Sequence, residues 1–163
     1  MLPRMAREES NREDLLREAT ALVERIELVL NDVHLVAGFR GDGALSIFFG
    51  EDPVYQFNAA GKLRRAFCDG KLIKAVHGKL VAMQRTRSEG EVHLVSRELS
   101  DAEQGELLAR MAVQMNQLEA SLNSSRFTIA GQHPPSADVP GRLKAWFTAH
   151  KEWPVADRPN VGR

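Results

Sequence analysis

The sequence predicts an α+β fold: an antiparallel β-meander of about seven strands, packed by an N-terminal helix and a second long helix, with a short C-terminal helix. Two patterns carry this prediction. Residues 54–99 alternate apolar with polar side chains and are interrupted by glycine at short intervals, which is typical of strands joined by tight turns. Two other segments carry apolar residues at helical spacing, each directly after a capping box.

The first helical segment lies near the N-terminus. Ser10 and Glu13 form a capping box, in which each side chain bonds the backbone N–H of the other, so a helix is predicted to begin at about Asn11. It is predicted to end before Asn31-Asp32. The apolar residues between these points recur at steps of three and four and form one broad stripe: Leu15, Leu16, Ala19, Leu22, Val23, Ile26, Val29 and Leu30.

A hairpin is predicted next, with strands at residues 33–40 and 44–50 around Gly41-Asp42-Gly43. Apolar side chains occupy both faces of this hairpin, since Val36 and Phe48 point away from the larger apolar set. Such a hairpin is either covered on both sides within one chain or lies against a second subunit.

The central meander is set by its turns. Asp69-Gly70, His77-Gly78 and Glu89-Gly90 suit two-residue type I′ turns, and Gly61 suits a three-residue loop with a bulge. Counting from these turns predicts one strongly apolar face, which the helices are expected to cover. That face is predicted to hold Tyr55, Phe57, Leu63, Phe67, Leu72, Val76, Val81, Met83, Val92 and Leu94.

The pattern changes to helical spacing after Leu99. Ser100 and Glu103 form a second capping box, and a helix is predicted over residues 101–123. The domain prediction is a single α+β domain at 1–125 and a C-terminal extension at 126–163. A short helix opens at Val139-Pro140 in this extension, with Trp146 and Phe147 on one side, and is expected to pack on the domain or on a partner.

Charge is distributed unevenly, although the chain is neutral overall with 22 basic and 22 acidic residues. Residues 62–87 carry eight basic residues against one acidic residue, while the segments on either side are acidic. In one interpretation the basic strands are neutralised by acidic helices, each exposed ion pair contributing about 0–1 kcal/mol. In the other interpretation the basic strands bind an anion.

The second interpretation gives a candidate site for an anion or for single-stranded nucleic acid. The predicted register places Arg65 opposite Lys74 on one face, which is unfavourable unless a negative group lies between them. Single-strand binders combine such charges with aromatic rings on which bases stack, a role that Tyr55 would fill here. The candidate residues are Arg64, Arg65, Lys74, Arg85, Arg87 and Tyr55.

Candidate chemistry is sparse. The five histidines are not at metal-ligand spacing, so no metal and no cofactor are predicted. No catalytic motif occurs and no catalytic residue is assigned, which leaves an enzyme with a cleft using Cys68 or His93 as a third alternative. The first discriminator for that alternative is whether these two side chains lie within hydrogen-bonding reach.

We predict a small non-catalytic interaction module that self-associates as a homodimer. Zero net charge, amphipathic helices and two-sided apolar strands favour association. The candidate interface residues are Val36, Phe48, Trp146 and Phe147. A single cysteine and the lack of a signal-peptide pattern or of an apolar run that would span a bilayer predict a cytoplasmic location without a membrane partner.

Overall fold

The computed structural model describes residue 17, residues 22–50 and residues 53–150, with only the backbone at residues 84–88 and 94. Nine strands are present in this part of the chain: β1 Glu24–Leu30, β2 Val33–Phe39, β3 Leu45–Phe49, β4 Val54–Phe57, β5 Leu63–Cys68, β6 Lys71–Val76, β7 Lys79–Ser88, β8 Glu91–Glu98 and β9 Thr128–His133. They form one antiparallel sheet in the order β8-β7-β6-β5-β4-β3-β2-β1-β9.

Both described helices follow the first eight strands, α1 at Asp101–Asn123 and α2 at Val139–Ala149. The predicted fold class is therefore wrong in outline, because the end of its N-terminal helix is a strand in the structure and the sheet has nine strands where about seven were expected. The eight strands form an uninterrupted meander, and the helix predicted as the second is the first helix after it. Its start is fixed by the capping box of Ser100 and Glu103, and both of the reciprocal hydrogen bonds are present.

The predicted N-terminal helix over residues 11–30 falls in two parts. Residues 11–21 lie outside the described residues, apart from Arg17. The second part is wrong, since Glu24–Leu30 is strand β1. Asn31 and Asp32 do not end a helix; with φ of 47° and 65° they turn the chain back into β2.

Residues 24–30 fit the pattern of a helix as well as that of a strand, because their apolar residues satisfy both the helical and the strand period. The sequence ERIELVL alternates, and Ile26, Leu28 and Leu30 are buried on one side. Those same residues also extend the helical stripe that begins further upstream. Pairing with β2 on one side and with β9 on the other satisfies the backbone of β1 as a strand.

The tight turns of the meander form as predicted. The pairs Asp69-Gly70, His77-Gly78 and Glu89-Gly90 all have positive φ at both residues, as a type I′ turn requires. The pairing they set is confirmed as well, including Arg65 opposite Lys74.

A bulge between β4 and β5 makes the predicted apolar face wrong. The register shifts at Gln56/Phe57, so that Leu63 pairs with Phe57 while Arg65 pairs with Gln56. One extra residue in a strand sends every later side chain to the opposite face. Tyr55 and Phe57 therefore lie on one face of the sheet, whereas the residues from Phe67 to Leu94 in the predicted set lie at positions of the other face.

The main core lies on the face that the helices cover, called here the helix face. Helix α1 buries a single stripe of side chains against it: Leu107, Met111, Met115, Leu118 and Leu122. Beyond the bulge, this face presents small or medium side chains such as Ala66, Cys68, Ile73 and Ala82, all of them buried. The face of β5–β7 that carries the smaller side chains therefore packs against α1 and is not exposed to solvent.

The opposite face, called here the open face, carries a second and smaller cluster. Phe48, Val54 and Phe67 are buried in it together with Leu22. Gly38 is required beneath that leucine, because a Cβ atom there would lie 2.7 Å from Leu22 Cδ1 and still closer to the carbonyl oxygen of Glu24.

The C-terminal part of the described chain joins the same sheet. β9 pairs with β1, and α2 packs in the main core through Val139, Leu143, Trp146 and Phe147. Asp138 caps α2 by accepting a hydrogen bond from the backbone N–H of Gly141.

Candidate anion-binding site

A groove of about 230 Å³ lies on the open face, where β3, β4 and β5 are adjacent. Three arginines, two neutral polar residues and two apolar residues line it: Arg40, Arg64, Arg65, Ser46, Gln56, Ala44 and Phe57. Its walls are therefore mostly cationic, and its floor is polar.

The bulge that makes the predicted apolar face wrong also forms one wall of this groove. Because β5 holds one extra residue opposite β4, the consecutive residues Arg64 and Arg65 both line the groove instead of pointing to opposite faces. Arg65 is oriented by Gln56, whose side-chain oxygen accepts a hydrogen bond of 2.6 Å from Arg65 Nε. Arg64 is exposed to solvent.

The third arginine comes from the other side, at the end of β2. A short turn holds Arg40 there: its backbone N–H donates to the Ala44 carbonyl at 2.9 Å, and its carbonyl accepts from the Gly43 N–H at 2.9 Å. Asp42 lies 3.9 Å from Arg40 Nε, and both side chains are more than half exposed. A pair at this distance and exposure is worth little, so it leaves the guanidinium available to a ligand.

The floor consists of Ser46 and Gln56, which are paired across β3 and β4. They are 4% and 9% exposed and, apart from the Tyr55 hydroxyl, they are the buried polar side chains of strands β3 and β4. Placing polar groups in a buried position costs free energy unless they bond to something. The Gln56 oxygen accepts from Arg65, and the Ser46 hydroxyl adds a neutral hydrogen-bonding group at the floor of the groove.

Lys74 adds a further positive charge beside the groove, since it pairs with Arg65 across β5 and β6. Guanidinium groups match the oxygens of phosphate or carboxylate with paired hydrogen bonds, and an ammonium group adds a compact point charge. Several cations near one groove repel one another, and a bound anion relieves that repulsion. The arrangement is suited to holding a compact, multiply charged anion.

The structure brings together some of the predicted anion-site residues and separates others. Arg64, Arg65 and Lys74 lie on or beside the groove. Arg85 and Arg87 lie on β7, where only the backbone is described. Tyr55 is on the helix face, fully buried, and its hydroxyl donates a 2.6 Å hydrogen bond to Gln114 Oε1, so it offers no ring to a ligand in the groove.

Sequence reasoning missed Arg40, Ser46 and Gln56. The available signal was that polar residues occupy adjacent positions of one face on successive strands, where the surrounding residues are apolar. That signal can be used only once the pairing of β3 with β4 is known.

The candidate interface residues are mostly interior. Phe48 is 2% exposed, and Trp146 and Phe147 are 6% and 1% exposed. The rings of Trp146 and Phe57 have centroids 5.2 Å apart, and Trp146 meets Phe147 edge to face at 5.3 Å. Val36 is partly buried against the open-face cluster.

The residues named for an enzyme are far from each other. Cys68 is on β5 and His93 is on β8, three strands away, which at a strand spacing of about 4.8 Å separates them by roughly 14 Å. That distance is beyond hydrogen-bonding reach. Among the described residues, no group of three or more His, Cys, Asp or Glu side chains is placed to hold a metal ion.

A larger groove of about 510 Å³ lies between α1 and the ends of β1–β3. It is lined by Leu30, Val33, Leu35, Phe49 and Leu118, with Gln114, Gln117, Ser121, Asn31 and Ala120 completing it. No charged side chain is among the described residues that line it, whereas three arginines line the groove on the open face.

Neither described helix is long and apolar enough to cross a membrane. Comparisons with protein-family models, with curated proteins and with solved structures found no match for this chain.

Proposed function

We propose that this protein is a non-catalytic binding module that holds a phosphate-bearing anion in the arginine groove. One observation carries the proposal: arginines from the end of β2 and from the bulge of β5 line one groove over a buried serine and glutamine. Charged hydrogen bonds of this kind each contribute about 1.5–3 kcal/mol. Arg40 and Arg64, whose side chains are exposed, are the two guanidinium groups that we expect to make such bonds to a small ligand.

The size of the groove favours a compact anion. Pockets for drug-sized ligands span roughly 300–1,000 Å³. A groove of about 230 Å³ is smaller, and it matches one or two phosphate groups better than a nucleotide with its base enclosed.

Single-stranded nucleic acid remains a second candidate because Lys74 extends the positive charge along the sheet. Base stacking needs exposed aromatic rings. Phe48 and Phe67 lie on the open face but are only 2% and 4% exposed, which favours recognition of the phosphate over recognition of a base.

Calorimetric titration with pyrophosphate at low ionic strength tests the proposal. We expect binding that weakens steeply with added salt, and a loss of about tenfold or more for Arg64→Ala or Arg40→Ala, since one charged hydrogen bond is worth at least 1.4 kcal/mol. Arg126→Ala is the matched control, because Arg126 is exposed and does not line the groove. Binding that is absent, or equal in all three variants, contradicts the proposal.

A parallel titration separates the two ligand classes. If a single-stranded oligonucleotide binds far more tightly than pyrophosphate, and Lys74→Ala weakens the oligonucleotide alone, then the nucleic-acid alternative is favoured. Equal sensitivity of both ligands to Arg64→Ala favours recognition of the phosphate group itself.

We also propose a cytoplasmic location. It is supported by the single, buried cysteine, which has no second cysteine in the sequence for an internal disulfide. Fractionation of cells that express the tagged full chain tests this point.

A further inference from the structure

Strand β8 forms one edge of the sheet. Among the described residues it pairs with β7 alone, over the eight residues Glu91–Glu98. An edge strand presents a row of unpaired backbone N–H and C=O groups that another strand can bond, and proteins usually protect such edges with charged side chains, proline, bulges or a covering element. The β7–β8 register has no bulge, and β8 contains no proline.

The hydrogen-bonding direction along β8 follows from one bond. The N–H of Leu99 donates to the carbonyl of Leu80 at 2.9 Å, and the register continues as Ala82 with Arg97 and Gln84 with Val95. In an antiparallel ladder, every second pair exchanges both of its bonds. Residues 91, 93, 95 and 97 therefore bond β7, while residues 92, 94, 96 and 98 direct their backbone groups to the open edge.

Exposed valines lie on this edge strand beside the charged Glu91, Arg97 and Glu98. Val92 is 57% exposed and Val95 is 44% exposed, on opposite sides of β8. Exposed β-branched residues on a straight edge strand favour pairing with another strand.

We infer that two copies of this chain associate by antiparallel pairing of β8 with β8, with residue 94 of each copy at the two-fold axis. A two-fold axis requires a self-complementary strand, and here the outward bonding groups lie at even-numbered positions. Pairing centred on residue 94 matches residue 92 of one copy with residue 96 of the other. Residues 92, 94 and 96 of both copies then donate about six backbone hydrogen bonds across the axis.

Charge favours this register over the one centred on residue 95, with Glu91 and Arg97 adding an inter-chain contact to those they make with His93 and Glu103 within one chain. Centring on residue 94 sets Glu91 opposite Arg97 of the second copy, and the symmetry repeats this favourable pair. Centring on residue 95 instead sets His93 opposite Arg97 and Val92 opposite Glu98, with no ion pair. The chain has zero net charge, so no overall repulsion opposes association.

This inference is independent of the proposed anion binding. The groove lies at β3–β5, and β6 and β7 separate it from β8. A dimer without anion binding, or the reverse, would each be informative by itself.

Sedimentation velocity on the full chain tests the pairing, with Ser96→Pro as the first variant. The N–H of residue 96 faces the open edge, so proline removes a bond of the dimer and none to β7. We expect a wild-type dimer at tens of micromolar, a monomeric Ser96→Pro variant with an unchanged circular dichroism spectrum, and a dimeric Ser96→Ala control. A wild-type monomer, or a dimer that survives Ser96→Pro, overturns the inference.

A charge swap tests the register itself. Glu91→Arg and Arg97→Glu each place like charges opposite one another in a homodimer, so each variant alone is expected to be a monomer. Their mixture restores two opposite-charge pairs and is expected to form a heterodimer. If Arg97→Glu is unstable because it also loses Glu103, Glu91→Arg alone must still weaken the dimer at least tenfold. No change in either measurement excludes the register centred on residue 94.

Discussion

The middle of the sheet, at β3 and β4, and its edge strand β8 differ in how far their side chains are buried. All described side chains of β3 and β4 are buried, because the helices cover one face and the open-face cluster fills the other. Every described side chain of β8 is exposed. The middle therefore holds the fold together, while the end offers backbone and side chains to solvent or to another chain.

The largest expected effect separates these two regions directly. Phe57 is 1% exposed and packs on Trp146, so Phe57→Ala should lower the free energy of unfolding by about 3–5 kcal/mol in urea denaturation. Val92→Ala at the exposed end should change it by less than about 0.5 kcal/mol. Similar losses for both variants would show that the end is as tightly packed as the middle.

A smaller expected effect concerns two glycines, one in the middle of the sheet and one on the exposed side of α1. Gly38→Ala should cost about 1–3 kcal/mol, because the added methyl group meets Leu22 and the Glu24 carbonyl over a central strand. Gly105→Ala, on the exposed side of α1 with no atom within 4 Å of the added Cβ, should instead stabilise by about 0.5–1 kcal/mol. Thermal unfolding of the two variants measures both, and a stabilised Gly38→Ala would contradict the close approach.

The smallest expected effect concerns the ion pair between β8 and α1. Arg97 bonds both carboxylate oxygens of Glu103, at 2.8 and 3.0 Å. These bonds, with those from the Ser100 cap, lower the pKa of the Glu103 carboxyl from 4.5 to about 2. A lowered pKa means that the stabilisation is complete above about pH 4.5 and is lost as the pH falls towards 2.

Glu103→Gln checks this assignment. Glutamine keeps the capping geometry but cannot titrate, so the variant should lose less stability than the wild type between pH 4.5 and about 2. Urea denaturation across that range measures the difference. Equal acid sensitivity of the two proteins would assign the loss to other carboxylates.

The sequence predicted Arg64, Arg65 and Lys74, three of the eight residues that line the groove or lie beside it. Arg65 and Lys74 were correctly placed opposite each other because a tight Asp69-Gly70 turn between them fixes their pairing within a few residues. Arg40 lies more than twenty residues before Arg64 in the chain, and no local signal connects them. The neighbourhood of Arg40 depends on the pairing of β2, β3, β4 and β5 together.

Tyr55 shows the opposite case. Counting across the loop from Tyr55 to Phe67 gave them one face, but the bulge at Gln56/Phe57 separates them into two different clusters. Gly61, which has positive φ, lies in the loop, and the pair next to that loop, Phe57 with Leu63, keeps the register expected for it. The shift comes one pair further along, at Arg64, where no glycine marks it.

The sequence by itself determined the features that depend on adjacent residues: the type I′ turns, the meander they join, and the start of α1 at its capping box. Only the tertiary structure decided that residues 24–30 form a strand, which face α1 covers, and that three arginines share one groove. The physical reason is that turns and caps are satisfied within a few residues. The face of a strand and its neighbours are instead set by pairing and packing with distant parts of the chain, where one inserted residue reverses the outcome.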